Sequence, residues 1–170
     1  MTDVTLEQID TATEQLLATA AALTDEQVRE PSLCAGWSRG HVLSHLARNA
    51  DALARVYRVA VTGVPDTMYD PDPARDAEID AGAGRSGSEQ VTDLRESAAR
   101  LTAVARQVDP SHGGVRVERT PGGRHILVER VRSMRLRELI YHHVDLDTGY
   151  SFEQVDPDVL EMFLADAVKR

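Results

Sequence analysis

A glutamate and a histidine four residues apart are the side chains of this sequence best placed to do chemistry. They are Glu138 and His142, in the run Arg137-Glu138-Leu139-Ile140-Tyr141-His142-His143. Four residues is about 400° of α-helical rotation, so both side chains leave a helix on one face, one turn apart. A carboxylate and an imidazole so placed can grip one metal ion. A third ligand has to come from another helix, and Gly40-His41-Val42-Leu43-Ser44-His45-Leu46 offers one. If the two segments come together, the chain holds a mononuclear metal site inside a helical bundle. Spacing alone leaves a second reading open, because most Glu/His pairs of this kind are surface residues joined by an ordinary i,i+4 interaction.

The elements that must position these residues read as helices. Thr5 to about Leu23 is a first helix, with Thr5 and Gln8 in capping-box positions and Ile9, Leu16, Leu17, Ala20 and Leu23 as its apolar stripe. Asp25 to Glu30 forms a short helical turn before Pro31. Ser38 caps a second long helix reaching about Val61, in which Val42, Leu46, Ala50, Leu53, Tyr57 and Ala60 follow helical spacing; Gly63 and Pro65 end it. Residues 63–88 are rich in Gly, Pro and Asp and read as a long loop with one short helix near Ala74–Ala81. Ser88 to about Val108 is a third amphipathic helix. Val115–Arg119 and Arg124–Val128, joined by Thr120-Pro121-Gly122-Gly123, read as a short β-hairpin. The fourth main helix carries Glu138 and His142 and ends near Asp147–Gly149, and Pro157–Lys169 forms an additional C-terminal helix. The expected fold class is all-α: a four-helix bundle with an added C-terminal helix and a hairpin before the fourth main helix, in one domain over residues 1–170.

Composition narrows the function classes. The chain has 170 residues, a hydrophobic fraction of 42% and a net charge of −9. That acidic balance argues against nucleic-acid binding, which usually needs a basic patch. No apolar run approaches the ~18 residues of a membrane span, and Met1-Thr2-Asp3-Val4 lacks the features of a secretory signal. A single cysteine, Cys34, leaves no internal disulfide. The expectation is a cytoplasmic domain with no nucleic-acid or membrane partner. Antiparallel bundles often pair, so a homodimer is expected without a particular interface.

On a helical wheel, Val131, Met134, Glu138, His142 and Asp145 share a sector, and Leu136, Ile140 and Val144 make the opposite face apolar too. A carboxylate between two apolar faces is costly unless paired or bound to a cation. Two stretches then resemble a known family. Gly36-Trp37-Ser38-Arg39-Gly40-His41-Val42-Leu43-Ser44-His45-Leu46-Ala47-Arg48-Asn49 and Arg137-Glu138-Leu139-Ile140-Tyr141-His142-His143-Val144-Asp145-Leu146 are similar to two motifs of the mycothiol-dependent maleylpyruvate isomerases, members of the DinB-like metal-binding bundles. The resemblance implies His45, Glu138 and His142 as metal ligands and zinc as the metal, although two imidazoles and a carboxylate suit other divalent ions. It implies a low-molecular-weight thiol such as mycothiol as cosubstrate and a small electrophile as substrate. The thiol would add to an activated cis double bond, allow rotation, and leave the trans isomer. Thiol S-transfer uses the same activation, and a non-catalytic metal-binding domain uses the same ligands. Longer family members carry a further C-terminal domain that helps form the thiol and substrate pocket. This sequence stops about where the bundle should end, as a stand-alone or a shortened member.

Around the ligand set lie further candidates. His41, one turn before His45, is either a fourth ligand or a substrate contact at the margin. Asn49 is a substrate contact or a core hydrogen-bonding group. Arg135, in the basic run Arg130–Arg137, can receive an anionic substrate or pair with nearby acids. Asp145 can orient His142 from behind the metal or pair with Arg135 or Arg137. His143 points about 100° away from His142. Cys34 reads as a small packing residue before it reads as a nucleophile, and Trp37 as an anchor at the start of the helix.

Overall fold

The structure, a computed structural model, describes residues 4–168, with side chains through residue 165. Its elements follow in the order α1 (Leu6–Ala21), α2 (Asp25–Arg29), α3 (Arg39–Thr62), α4 (Asp72–Ala83), α5 (Gly87–Ala105), β1 (Arg116–Glu118), β2 (His125–Leu127), α6 (Val131–Asp145) and α7 (Pro157–Val168). Local chemistry sets most of the helix starts. Thr5, Thr24, Ser38 and Ser86 each accept a hydrogen bond from the backbone N–H three residues on, and that third residue's side chain returns to the cap's own N–H. At α3 the returning group is the His41 ring, an imidazole doing what Glu or Gln does elsewhere. Gly63 ends α3 in the left-handed region at φ 70°, where a side chain would be strained.

α3 is the axis of the bundle. Val42, Leu43, Leu46, Ala47, Ala50, Leu53, Ala54 and Val56 have no exposed surface, because α4, α5 and α6 all pack around the helix, while α1 lies across α5 and α6. Two apolar clusters result. One gathers Leu16, Leu17, Leu43, Leu46, Leu136, Leu139 and Phe163; the other gathers Leu53, Tyr57, Leu101, Val117, Ile126, Val128 and Val131. Each fully buried leucine or isoleucine contributes roughly 1.5–3 kcal/mol, so the α3–α6 contact that positions the site rests on several such residues. The hairpin pairs antiparallel with Val117 opposite Ile126. Both are buried, which fastens the hairpin onto the second cluster just before α6 begins. The result is an all-α bundle with the hairpin before α6 and α7 added at its C-terminal end. No helix among the described residues is long and apolar enough to cross a membrane.

Three sequence expectations are corrected. The short helix expected near Ala74–Ala81 is present and longer, running as α4 from Asp72 to Ala83, with Pro73 in its first turn and Ile79 and Ala83 buried on one side. α5 starts from Ser86 rather than Ser88. α6 ends at Asp145, before the expected Asp147–Gly149, because Leu146 and Asp147 turn back onto its last carbonyls and Asp147 takes φ 53°. Lys169 lies outside the described residues.

α4 approaches α3 closely because both surfaces are bare at the crossing. A Cβ on Gly40 would sit 2.2 Å from the Ala83 carbonyl oxygen, and one on Gly82 would sit 2.2 Å from Ser44 Oγ. The first neighbour is backbone and cannot turn aside. Gly40→Ala should therefore push α4 off α3 and destabilise the fold by about 1–3 kcal/mol. A urea titration reads this as a lower midpoint; an unchanged midpoint would mean that the two helices do not meet this closely.

Candidate metal centre

His45 lies in the second turn of α3 and points from its buried stripe toward α6. Glu138 and His142 occupy successive turns of α6. His45 Nε2 lies 2.8 Å from Glu138 Oε2, and the same oxygen lies 3.4 Å from His142 Nε2. The two imidazole rings meet edge to face at 4.7 Å between centroids. The side chains of His45, His142 and Glu138 are 7%, 21% and 33% exposed. The cluster is thus floored by His45 and opens at the carboxylate. One ligand atom from each residue lies within 4.8 Å of the others. Tetrahedral zinc with bonds of about 2.0–2.1 Å sets its donors about 3.3 Å apart. The donor atoms converge on that scale, and their types fit a divalent ion of borderline softness.

The electrostatics follow from burial. Desolvation opposes a charged Glu138, but hydrogen bonds from His142 and His45 outweigh it and hold the carboxyl well below the usual carboxylate range. Burial pushes His45 down in spite of Glu138, so this imidazole is neutral. Burial also works against charge on His142, but Glu138 and Asp145 on its two sides outweigh it and raise its pKa above 6.5.

Asp145 Oδ2 accepts the His142 Nδ1–H at 2.8 Å. When a metal displaces the proton that Nε2 shares with Glu138, the one held by Asp145 stays on Nδ1, which is the tautomer a metal ligand requires. His45 is in the opposite state, since its Nε2–H donates to Glu138. Its Nδ1 lies 3.5 Å from Arg75 Nη2. Arg75 comes from α4, and its guanidinium also lies over the Tyr69 ring.

The remaining candidates divide. His41 is bound to its cap: Nδ1 accepts from the Ser38 backbone N–H at 3.1 Å and the Ser38 hydroxyl at 2.7 Å, while Nε2 lies 3.6 Å from Asp80. It stacks on Trp37, whose indole is centred 5.5 Å from the His45 ring. Trp37 therefore walls the cluster as well as anchoring the helix. Asn49 and Arg135 are corrected as substrate contacts. They are 2% and 1% exposed, and they bond each other: Arg135 Nη1 donates to Asn49 Oδ1 and to the Leu46 carbonyl, each at 2.9 Å, and Asn49 Nδ2 donates to the Tyr69 hydroxyl at 3.2 Å. This is a core network behind the ligands. His143 points away, stacked on Tyr150 and bonded to the Thr19 hydroxyl at 2.7 Å; burial lowers its pKa to about 4.

Several site-building residues gave no sequence signal. Arg75 lies in the short helix expected near Ala74–Ala81, but nothing local tied it to His45. Arg39, the first residue of α3, clasps the end of α6 instead: Nε donates to the Leu146 carbonyl at 2.6 Å and Nη2 to the Asp147 carbonyl at 3.1 Å. Leu33 N–H donates to the Asp145 carbonyl at 2.9 Å. These bonds satisfy carbonyls that a helix end otherwise leaves open. Cys34 lies with its Sγ 3.3 Å from Asp145 Oδ2 and 4.0 Å from His142 Nδ1. Burial, followed by the neighbouring Asp145, pushes its thiol up to about 11, which argues against a nucleophilic thiolate.

Comparison with known proteins bears on this geometry. A family profile described as the mycothiol maleylpyruvate isomerase N-terminal domain matches residues 9–147. The chain belongs to that family. Among solved structures it is similar to the mycothiol-dependent maleylpyruvate isomerase, at 28% identity and a TM-score of 0.83, covering 92% of this chain and 65% of that one. A histidine-to-alanine mutant of that isomerase gives a TM-score of 0.84 with the same identity and coverage. YfiT from Bacillus subtilis, a four-helix bundle of unusual topology, gives 0.63 at 20% identity, covering 85% of this chain and 87% of its own, and shares the fold. The chain thus spans just under two thirds of the isomerase. No curated protein matches its sequence.

The charge states predict how metal uptake depends on pH. In the metal-free protein, a charged His142 between two carboxylates contributes stability that is fully present below the unfolded pKa of about 6.5 and is lost as pH rises through the higher folded value. A metal must displace that proton. Below the folded pKa of His142, uptake should release about one proton and apparent affinity should fall about tenfold per pH unit. Calorimetry in buffers of different ionisation enthalpy measures the release; a pH-independent affinity from pH 6 to 7 would contradict the assignment.

Proposed function

We propose that this chain is a divalent-metal- and thiol-dependent enzyme acting on small electrophiles, with cis–trans isomerisation of a double bond conjugated to a carbonyl as its reaction and zinc as its metal. One observation carries the reading: in a member of the mycothiol maleylpyruvate isomerase family, His45 Nε2, Glu138 Oε2 and His142 Nε2 converge within 4.8 Å at the floor of a partly open cluster. His45, Glu138 and His142 hold the ion, and three protein ligands leave a position for an exogenous group. The ion, when bound, lowers the pKa of an external thiol and polarises a carbonyl.

The chain's own groups do the rest. Asp145 keeps the His142 proton on Nδ1. The indole of Trp37 excludes water from one side of His45. Arg75 supplies a positive charge beside the ligands, where an anionic group on the electrophile is stabilised. The thiol is the cosubstrate, mycothiol or a similar small thiol. Its sulfur adds to one alkene carbon while the electron pair moves into the conjugated carbonyl; the new single bond turns, and the sulfur departs to leave the trans alkene.

Metal analysis of the purified protein with His45→Ala and His142→Ala, followed by assays with mycothiol and maleylpyruvate, tests the reading. The expected result is one equivalent of metal in the wild type, loss from both variants on desalting, and isomerisation that needs both metal and thiol. A stable thiol adduct in place of a trans product would indicate S-transfer. Metal without reaction across a panel of electrophiles would indicate a binding domain, and a wild type that takes up no metal would end the proposal.

A further inference from the structure

We propose that Cys34 is a positioning residue for the metal centre: its thiol holds the Asp145 carboxylate in the orientation that fixes the His142 ring. The proposal rests on the metal-centre reading above and adds a residue to it. Asp145 Oδ2 receives two donors, His142 Nδ1–H at 2.8 Å and the Cys34 S–H at 3.3 Å. With one donor, a carboxylate at the end of a helix can turn about its terminal bond, and the ring can follow. A second donor on the same oxygen, arriving from another segment, removes that freedom.

The second donor is itself held in place. Cys34 lies in the loop between α2 and α3, whose backbone is tied at several points. Cys34 N–H donates to Ser32 Oγ at 3.2 Å, the Cys34 carbonyl accepts from Trp37 N–H at 3.0 Å, and Ser32 N–H donates to the Trp37 carbonyl at 2.9 Å. The adjacent Leu33 N–H donates to the backbone carbonyl of Asp145 itself at 2.9 Å. The loop therefore grips Asp145 twice, by main chain through Leu33 and by side chain through Cys34. The loop's own turn fixes the Cα–Cβ bond from which the thiol reaches Asp145.

What reaches the metal is ring orientation. Nδ1–H on Asp145 keeps Nε2 facing Glu138 and His45. Partners of this kind behind a ligand typically change metal affinity by about 10–100-fold when removed. Cys34 acts one bond further out, so a smaller effect is expected. Serine keeps a donor at the same place; alanine does not.

The experiment is Co²⁺ binding to the metal-free full chain, by competition with a chromophoric chelator, for the wild type, Cys34→Ala, Cys34→Ser, Asp145→Ala and the Cys34→Ala/Asp145→Ala double variant. The thermal midpoint of each metal-free protein controls for folding. Cys34→Ala should weaken Co²⁺ binding by about three- to tenfold. Cys34→Ser should restore it to within about twofold, and Cys34→Ala should add nothing once Asp145 is gone. The proposal is overturned if Cys34→Ala binds like the wild type, if Cys34→Ser is as weak as alanine, or if the two losses add. It is also overturned if the wild-type Co²⁺ spectrum shows a sulfur-to-metal charge-transfer band that Cys34→Ala abolishes, since Cys34 would then be a ligand. A wild type that takes up no Co²⁺ sinks the metal-centre reading and this proposal with it; uptake indifferent to Cys34 sinks this proposal alone.

Discussion

A carboxylate shielded from water by a helical bundle needs partners, and Glu138 can find them only where α3 and α6 touch. Its charged form is disfavoured by desolvation and recovered by two imidazoles, one from its own helix and one from the other. The pair His142 and Glu138 comes free with helical geometry. The contact with His45 does not: it requires the chain to return α6 to α3 in one register across a separation of 93 positions. The apolar faces do that work, since Leu43, Leu46, Leu136 and Leu139 share one cluster. Sliding one helix against the other would leave the buried His45 imidazole without its carboxylate, and Glu138 with one donor in place of two, at a cost of about 1–3 kcal/mol.

The local chemistry of the bundle was legible from residues alone. Thr5 with Gln8, and Ser38 three residues before His41, mark helix starts by side-chain hydrogen bonds that span a single turn. The spacing of Val42, Leu46, Leu53 and Tyr57 places one face inward, and all four are buried. The hairpin was readable because Val117 alternates with Arg116 and Glu118, and the apolar run from Ile126 lies across a Gly-bearing turn. For the cluster, spacing placed Glu138 and His142 on one face and no more. The pairing with His45 came from the likeness of two motifs to a family, and the structure brings the three side chains to one point.

What stayed hidden depends on contacts distant in sequence. Of α4 only the stretch near Ala74–Ala81 was legible; its ends were not, because one narrow side is buried and two of its three buried residues, Gly82 and Ala83, lie past that stretch. Small residues look like loop in a sequence, yet here they let two backbones approach. Asn49 and Arg135 showed polar atoms on interior faces, and nothing local could say whether a ligand or a neighbour meets them; they bond each other, and Arg135 also reaches the Leu46 carbonyl. Cys34 carries no pattern at all. Its proximity to Asp145 follows from a loop turn and a helix end more than a hundred residues away.

The clasp of Arg39 on the end of α6 governs how the molecule can breathe. A guanidinium at the foot of one helix gripping the last carbonyls of another behaves like a rivet at one end of a pair of shears. Opening between the blades is then smallest near the rivet and grows toward the far tips, where the hairpin leads into Val131. His45, Glu138 and His142 sit toward the riveted end. Excursions that loosen the opposite end of the bundle therefore move the imidazole–carboxylate junction less than they move the far tips.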